Sequence, residues 1–313
     1  MRKVVHSRHP DDVIDHVPVS TRRAARTRRL ERLLRRHPVA VTHHDKLAGV
    51  IGDHISDKIR VFGRYEREEL EALDAFVLAR LPGRRRCCVD VGANIGNHCL
   101  HFSRRFDQVL AFEPNPLAVD LLQWNLRANG IRNVTVHAVG LAEQASTATM
   151  SVVDRNLGAS HLDPGPAAGS AAGDRVQVNL VRGDDLLLAE EVVDVVKVDV
   201  EGFELDVLRG LYRTLERHRP IVLAAAVPAK IDQATGTTEV AELLAGLGYV
   251  PFEMAWRRRS RMKWLDTLLT AVHGTRVRVL RRIQRFDHRN YPMVVFLPQH
   301  DVPLLRPAAV KSP

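Results

Sequence analysis

The sequence predicts an α/β fold, a parallel sheet covered by helices on both faces. Three observations carry this. Short apolar runs alternate with stretches of helical spacing from about residue 87 to residue 248. The apolar runs are near-continuous rather than alternating, which suits strands buried on both sides. The helical stretches stop at glycine or proline, as at Gly130, Pro220 and Gly248. Apolar residues make up 45% and charged residues 27% of the 313, which excludes a wholly disordered chain.

The elements follow in order. Residues 20–36 set Ala25, Leu30, Leu33 and Leu34 among arginines, with Ser20 or Thr21 to start a basic helix and Pro38 to close it. Ala48–Ile51 and Ile59–Phe62 read as short strands flanking a turn at Gly52-Asp53. Glu68–Leu81 is helical and ends at Pro82-Gly83. Cys87–Val91 is a strand, Ile95–Arg105 a helix, Val109–Phe112 a strand and Pro116–Asn129 a helix. Val134–Val139 and Val192–Val198 are strands, Phe203–Arg217 a helix, Ile221–Ala226 a strand and Glu239–Leu247 a helix. Residues 163–174, rich in Pro, Gly, Ala and Ser, read as a flexible loop. Met293–Leu297 is the last strand.

Charge is unevenly spread. The formal net charge is +9 and the pI near 9.9. Residues 1–40 hold 11 Lys/Arg against 4 Asp/Glu, and residues 255–285 hold 10 against 1. The rest is therefore net acidic. In the second basic segment Trp256, Trp264, Leu265, Leu268, Leu269 and Val272 give an amphipathic helical pattern, Arg276–Val279 alternates, and Leu280–Ile283 returns to helical spacing. Such segments suit an anionic surface or acceptor. Nucleic acid is disfavoured, because aromatics are only 5% and stacking platforms are few. The three cysteines, Cys87, Cys88 and Cys99, form a poor disulfide framework and read as core thiols. Met1–Pro10 lacks the apolar stretch of a leader, and the longest apolar run, Ile221–Val227, is far short of the ~20 residues of a membrane span. The expectation is a cytoplasmic chain, with peripheral membrane contact through its basic segments as an option.

The richest stretch is Val89-Asp90-Val91-Gly92-Ala93-Asn94-Ile95-Gly96-Asn97. A strand ends, a glycine allows a tight turn, and a helix begins at the next glycine, so a ligand can approach the backbone at the carboxyl edge of the sheet. The next strand ends in Phe112-Glu113-Pro114-Asn115, with Glu113 21 residues after Gly92. An acidic residue at that interval suits a ribose diol. The G-x-x-x-G spacing lacks the third glycine of a dinucleotide site, and Asp90 would repel a pyrophosphate but attract an ammonium. S-adenosylmethionine therefore fits better than NAD.

These residues resemble class I S-adenosylmethionine-dependent methyltransferases, and more narrowly the FkbM family. Gly52–Ser56 with Gly63–Glu66 is similar to that family's entry segment, Asn156–Ser160 to its mid-domain loop, and Val196–Glu204 with Val207–Gly210 to its most specific signature. The resemblance covers about residues 46–300. It implies a Rossmann-like, doubly wound sheet of seven strands with the last strand antiparallel, preceded by a basic helical extension over 1–45 and followed by a tail over 301–313. The basic segment at about 255–286 is then an insert. Asp90, Gly92, Asn94, Gly96, Glu113 and Asn115 would line the cofactor. The implied reaction is methyl transfer to a hydroxyl of a sugar, a glycolipid or polysaccharide precursor, or a polyketide-type metabolite. One departure is that relatives often carry Glu near the end of the fifth strand, where this chain has Ala224-Ala225-Ala226.

Asp199 ends the fourth strand at the same sheet edge as Asp90 and Glu113, and Glu201 follows in the turn. They would serve as general base and orienting group. The same pair could ligate a divalent cation, although no metal is predicted, or could cap the next helix. Lys197, in an apolar strand, is costly to bury alone and is expected to pair with an acidic residue. His98 and His101 lie near the glycine turn and read as surface or capping residues. Two rival readings remain at this point: a nucleic-acid methyltransferase, and a cofactor-binding protein without catalysis.

Overall fold

The structure is a computed structural model that describes residues 13–20, 45–50, 53–152, 161–162, 174–257 and 275–305. Its strands are β1 Val13–Ser20, β2 Cys87–Val91, β3 Gln108–Phe112, β4 Val134–His137, β5 Gly140–Ala142, β6 Ser146–Val152, β7 His161–Leu162, β8 Asp174–Arg182, β9 Val195–Val198, β10 Ile221–Ala226, β11 Tyr249–Arg257, β12 Thr275–Arg282 and β13 Tyr291–Pro298. Its α-helices are α1 His54–Phe62, α2 Arg67–Leu73, α3 Asn97–Phe102, α4 Pro116–Ala128, α5 Gly183–Leu187, α6 Glu204–Gly210, α7 Tyr212–His218 and α8 Glu239–Gly246. The chain divides into two units. One is Val41–Tyr65 with Gly83–Ala224; the other is Met1–Ala40, Glu66–Pro82 and Ala225–Pro313.

The first unit carries the parallel sheet that the sequence predicts. Its strands lie in the order β10-β9-β2-β3-β4 and pair in parallel. The chain winds outward from β2 to β4 and then returns to β9 on the other side of β2. The winding direction thus reverses between β2 and β9, and in open sheets of this kind ligands bind at the carboxyl ends of the strands flanking such a reversal. All five residues of β2 and all four of β9 are buried. Behind β3, the α3 residues Cys99 and Leu100 pack with Ala111, Leu122 and Leu126 in one apolar cluster. Each fully buried leucine there contributes about 1.5–3 kcal/mol.

The same unit holds a second sheet, β5-β8-β6-β7, in which β6 runs antiparallel to both β8 and β7. The sequence reading had no strands in this region. In the second unit β11 pairs antiparallel with β12 and β13, and β12 with β1. Buried charges are matched there. Arg281 and Arg289 both bind Glu253, and Arg278 pairs with Glu69 at 2.9 Å.

Several expectations are corrected. Ile59–Phe62 is not a strand but the end of helix α1, and residues 46–50 have no regular structure. Asp53 starts this helix by accepting from the backbone N–H of Ser56 at 2.7 Å, and the apolar spacing of Ile55 and Ile59 is that of a helix face, packed on Ile95. Leu280–Arg282 belongs to β12, not to a helix. Phe203–Arg217 is two helices, meeting at Leu211. The strand count also differs from the expected seven. Among the described residues, five parallel strands lie in the first unit's main sheet and four antiparallel strands in the second unit. The expected last strand is present as β13, antiparallel to β11. The basic helix at 20–36 lies outside the described residues except for Ser20, which ends β1. The loops at 156–160 and 163–173, and the amphipathic stretch at 258–274, also lie outside them.

Candidate active site

The loop after β2 is shaped by its backbone. Gly92 and Gly96 have φ of +75° and +90°, and Asn94 is left-handed at 49°. The N–H groups of Gly92 and Ala93 both donate to the carbonyl of Phe112, at 3.0 and 3.1 Å, which ties the turn to the end of β3. At Gly92 nothing but hydrogen fits, because a Cβ would lie 2.0 Å from the carbonyl oxygen of Asp199. The backbone N–H of Asp199 in turn donates to Val91 O at 3.1 Å. The turns after β2 and β9 are therefore in direct contact at the carboxyl edge of the sheet.

Glu113 sits at the tip of β3 and is 7% exposed. Its Oε2 accepts from the Asn94 N–H at 2.8 Å and its Oε1 from the Asn115 N–H at 2.9 Å. Burial pushes its carboxyl above the usual range, and the two backbone donors oppose that only in part. Asn115 caps α4 by accepting from Leu117 N–H at 3.1 Å. Its Nδ2 is buried and has no hydrogen-bond partner among the described residues. Behind them, the His137 ring stacks on Phe112 at 4.7 Å between centroids, and burial lowers its pKa. No sequence signal pointed to His137.

Asp90 is fully buried. It lies in register with Lys197 on the neighbouring strand β9. Lys197 Nζ is 3.0 Å from Asp90 Oδ1 and donates to the carbonyl of Gly92 at 3.0 Å. The expected partner of the buried lysine is thus Asp90. Asp90 Oδ2 accepts from the Cys99 thiol at 3.1 Å. Burial, with the neighbouring Asp90 charge, pushes the Cys99 thiol pKa well up. Asp90 is thus enclosed between Lys197 and Cys99, directly beneath the glycine turn.

Asp199 differs from Asp90 in exposure. Its side chain is 42% exposed, with Oδ2 3.6 Å from Lys197 Nζ. Glu201 is exposed, on a left-handed backbone at φ 47°, followed by Gly202 at φ 101°. Non-glycine residues held there cost about 1–3 kcal/mol, a strain that concentrates at functional sites. Beside Asp199, Ala224 on β10 pairs with Val198 and adds no polar group. His98 and His101 are buried, not surface residues, and Arg64 Nη1 lies 2.8 Å from His101 Nδ1. Among the described residues, no group of three His, Cys, Asp or Glu side chains is arranged to hold a metal ion, and no helix is long and apolar enough to cross a membrane.

Comparison with known proteins identifies three methyltransferases as relatives. Methyltransferase 1 of Beauveria bassiana is 35% identical over 144 residues, 39% of this chain and 57% of that protein. Methyltransferase sdnD of Sordaria araneosa is 30% identical over 182 residues, 49% of this chain and 70% of that protein. Hexuronic acid methyltransferase AglP of Haloferax volcanii is 33% identical over 164 residues, 49% of this chain and 64% of that protein. The matched region thus spans between 57% and 70% of the length of these relatives. A family model described as the methyltransferase FkbM domain matches residues 90–251, more than half of the 313. That match takes in Asp90, the glycine turn, Glu113 and the Asp199 turn together, and the chain belongs to the FkbM methyltransferase family.

Proposed function

We propose that this chain is an S-adenosylmethionine-dependent O-methyltransferase of class I architecture whose acceptor is a hydroxyl on a sugar or a sugar-containing precursor. The observation that carries the reading is the pairing of Glu113 with the glycine turn across the sheet reversal from Asp199. The donor set suits the cofactor. Glu113 is a buried carboxylate able to accept from a ribose diol, and Asn115 Nδ2 is a buried donor with no hydrogen-bond partner among the described residues. S-adenosylmethionine supplies an electrophilic methyl group on a sulfonium. Gly92, Asn94 and Gly96 form the turn that receives it, and Asp90 with Lys197 keeps that turn in shape.

Asp199 then handles the acceptor. Transfer to a hydroxyl needs alignment and removal of one proton. Asp199 is the half-exposed carboxylate at this edge, and its backbone is fixed against both Val91 and Gly92. It takes the hydroxyl proton, while Glu201, two residues on in the exposed turn, orients the acceptor. The Haloferax volcanii relative, a hexuronic acid methyltransferase, favours a sugar over other hydroxyl acceptors. A polyketide-type hydroxyl is the next choice. The two basic segments suit an acidic or lipid-linked sugar by charge.

Incubation with methyl-labelled S-adenosylmethionine and a panel of uronic-acid oligosaccharides, neutral sugars and polyketide alcohols tests this. The expected result is label in an alkali-stable methyl ether of a sugar. Binding of the cofactor with label appearing only in nucleic acid, or in no acceptor of the panel, would sink the acceptor reading.

A further inference from the structure

Residues 46–50 have no strand or helix to satisfy their backbone, yet they lie along helix α4 in a fixed register. Two asparagines provide it. Asn129 Oδ1 accepts from the Lys46 N–H at 3.0 Å, and its Nδ2 donates to the Lys46 carbonyl at 2.6 Å. Asn125 Oδ1 accepts from the Ala48 N–H at 2.6 Å, and its Nδ2 donates to the Ala48 carbonyl at 3.0 Å. Each amide side chain thus copies the donor–acceptor pair of a neighbouring strand. The spacing matches: four residues of helix rise about 6 Å, and two residues of extended chain about 6.6 Å. At the far end Asn97 does the same for Tyr65, accepting from its N–H at 2.9 Å and donating to its carbonyl at 3.1 Å. Asp45 fixes the start through Arg64, at 2.7 Å, and Arg104.

Two of these three asparagines also touch the glycine turn. Asn125 is fully buried, and its Nδ2 donates a second bond, 2.8 Å long, to the carbonyl of Ile95. Asn97 is the residue after Gly96 and the first of α3. Ile95 itself packs on Ile59, with Leu47, Val50, Ile55 and Tyr65 around them. The segment 45–65 is therefore joined to residues 95–97 by hydrogen bonds at two points and by an apolar contact between them.

We infer that residues 45–50 and 53–65 act as a strap whose ordering is thermodynamically coupled to occupation of the glycine turn, with Asn125 as the positioning residue that links them. The inference rests on the cofactor reading above. One amide group serves both the strap at Ala48 and the turn at Ile95, so it cannot adjust to one without the other. A ligand that fixes the turn stabilises the strap, and by linkage a closed strap raises affinity for the ligand. The apolar run 48–51 has the composition of a strand, whose backbone a neighbouring strand would pair; at Ala48 the Asn125 amide takes that place instead.

The test uses the full chain, S-adenosylhomocysteine as probe, amide hydrogen exchange and calorimetry. In the parent, the probe should slow exchange at Lys46 and Ala48 at least about tenfold, although neither lies in the turn. Asn125→Ala should abolish that protection and weaken binding about tenfold, with exchange in β3 and β4 unchanged. Asn129→Ala removes the two bonds to Lys46 and one to the helix carbonyl of Asn125, and leaves the Asn125 side chain's bond to the turn in place. It should speed exchange at Lys46 and weaken binding several-fold, and it decides the matter if Asn125→Ala does not fold. Parent affinity in a variant whose strap exchanges freely would overturn the coupling, as would probe binding that leaves the parent strap unprotected. Absence of any probe binding to the parent would remove the cofactor reading and the strap inference together.

Discussion

Lys197 and Asp90 face each other on adjacent parallel strands, 3.0 Å apart, with the lysine 4% and the aspartate 0% exposed. The same ammonium holds the carbonyl of Gly92 at 3.0 Å. An ion pair this deep is strongly felt when broken, because the surviving charge keeps its desolvation cost. Lys197→Met should destabilise the fold by about 3–5 kcal/mol, measured by urea denaturation. Pairing it with Asp90→Asn should recover much of the loss. A double variant as unstable as the two single effects added would mean that the pair is not coupled.

Glu113 gives a pH signature. Its folded pKa is raised by burial, so the folded chain holds this proton more tightly than the unfolded chain. Its stabilising share is full at acid pH and is lost as pH rises from the ordinary carboxylate range through the raised folded value. Glu113→Gln removes the titration, so the stability of the variant relative to the parent should climb across that window. Parallel pH profiles would contradict the burial argument. The variant should also bind S-adenosylhomocysteine about 10–100-fold more weakly, the loss expected for one charged hydrogen bond.

Asp199→Asn keeps shape and removes the base. Turnover should fall about 10²–10⁴-fold with S-adenosylhomocysteine binding nearly unchanged. Full activity would dismiss Asp199 from the chemistry. Parent activity should survive EDTA, since the proton goes to a carboxylate in this reading. Loss on chelation, restored by a divalent cation, would instead make Asp199 and Glu201 ligands.

All three thiols are free and buried. Burial pushes the Cys87 thiol up to about 12 and raises Cys88 and Cys99 well above their usual value. At pH 8 the Cys87 thiolate is then about one part in 10⁴. A disulfide reagent should find no reactive thiol in the native chain and three after denaturation. Rapid labelling of native Cys99 would place it away from Asp90.

The sequence exposed the parallel core because its strands are separate apolar runs, most of them closed by a glycine or a polar tip and β10 by Pro228. The glycine turn, Glu113 and the need for a partner at Lys197 were legible for the same reason: each is a local chemical demand. That Asp90 would be the partner of Lys197 was not legible, since the register that sets them side by side depends on how two distant strands align. Helix α1 was misread because Ile59–Phe62 has the composition of a strand, although Asp53 and Ser56 already offered a helix cap. The sheet of β5 to β8 was overlooked in a polar stretch, Ser146–Val152, whose alternation is that of a half-exposed strand.

The close approach of Gly92 to the carbonyl of Asp199 bears on how a lineage built on this site can diversify. Neither turn can be lengthened, swapped or given a bulkier residue at the point of contact without displacing the other. Under the proposed function, inherited change in substrate range would then fall on positions past that junction, such as the turn at 200–203, while the turn assigned to the methyl donor is held constant by its own backbone.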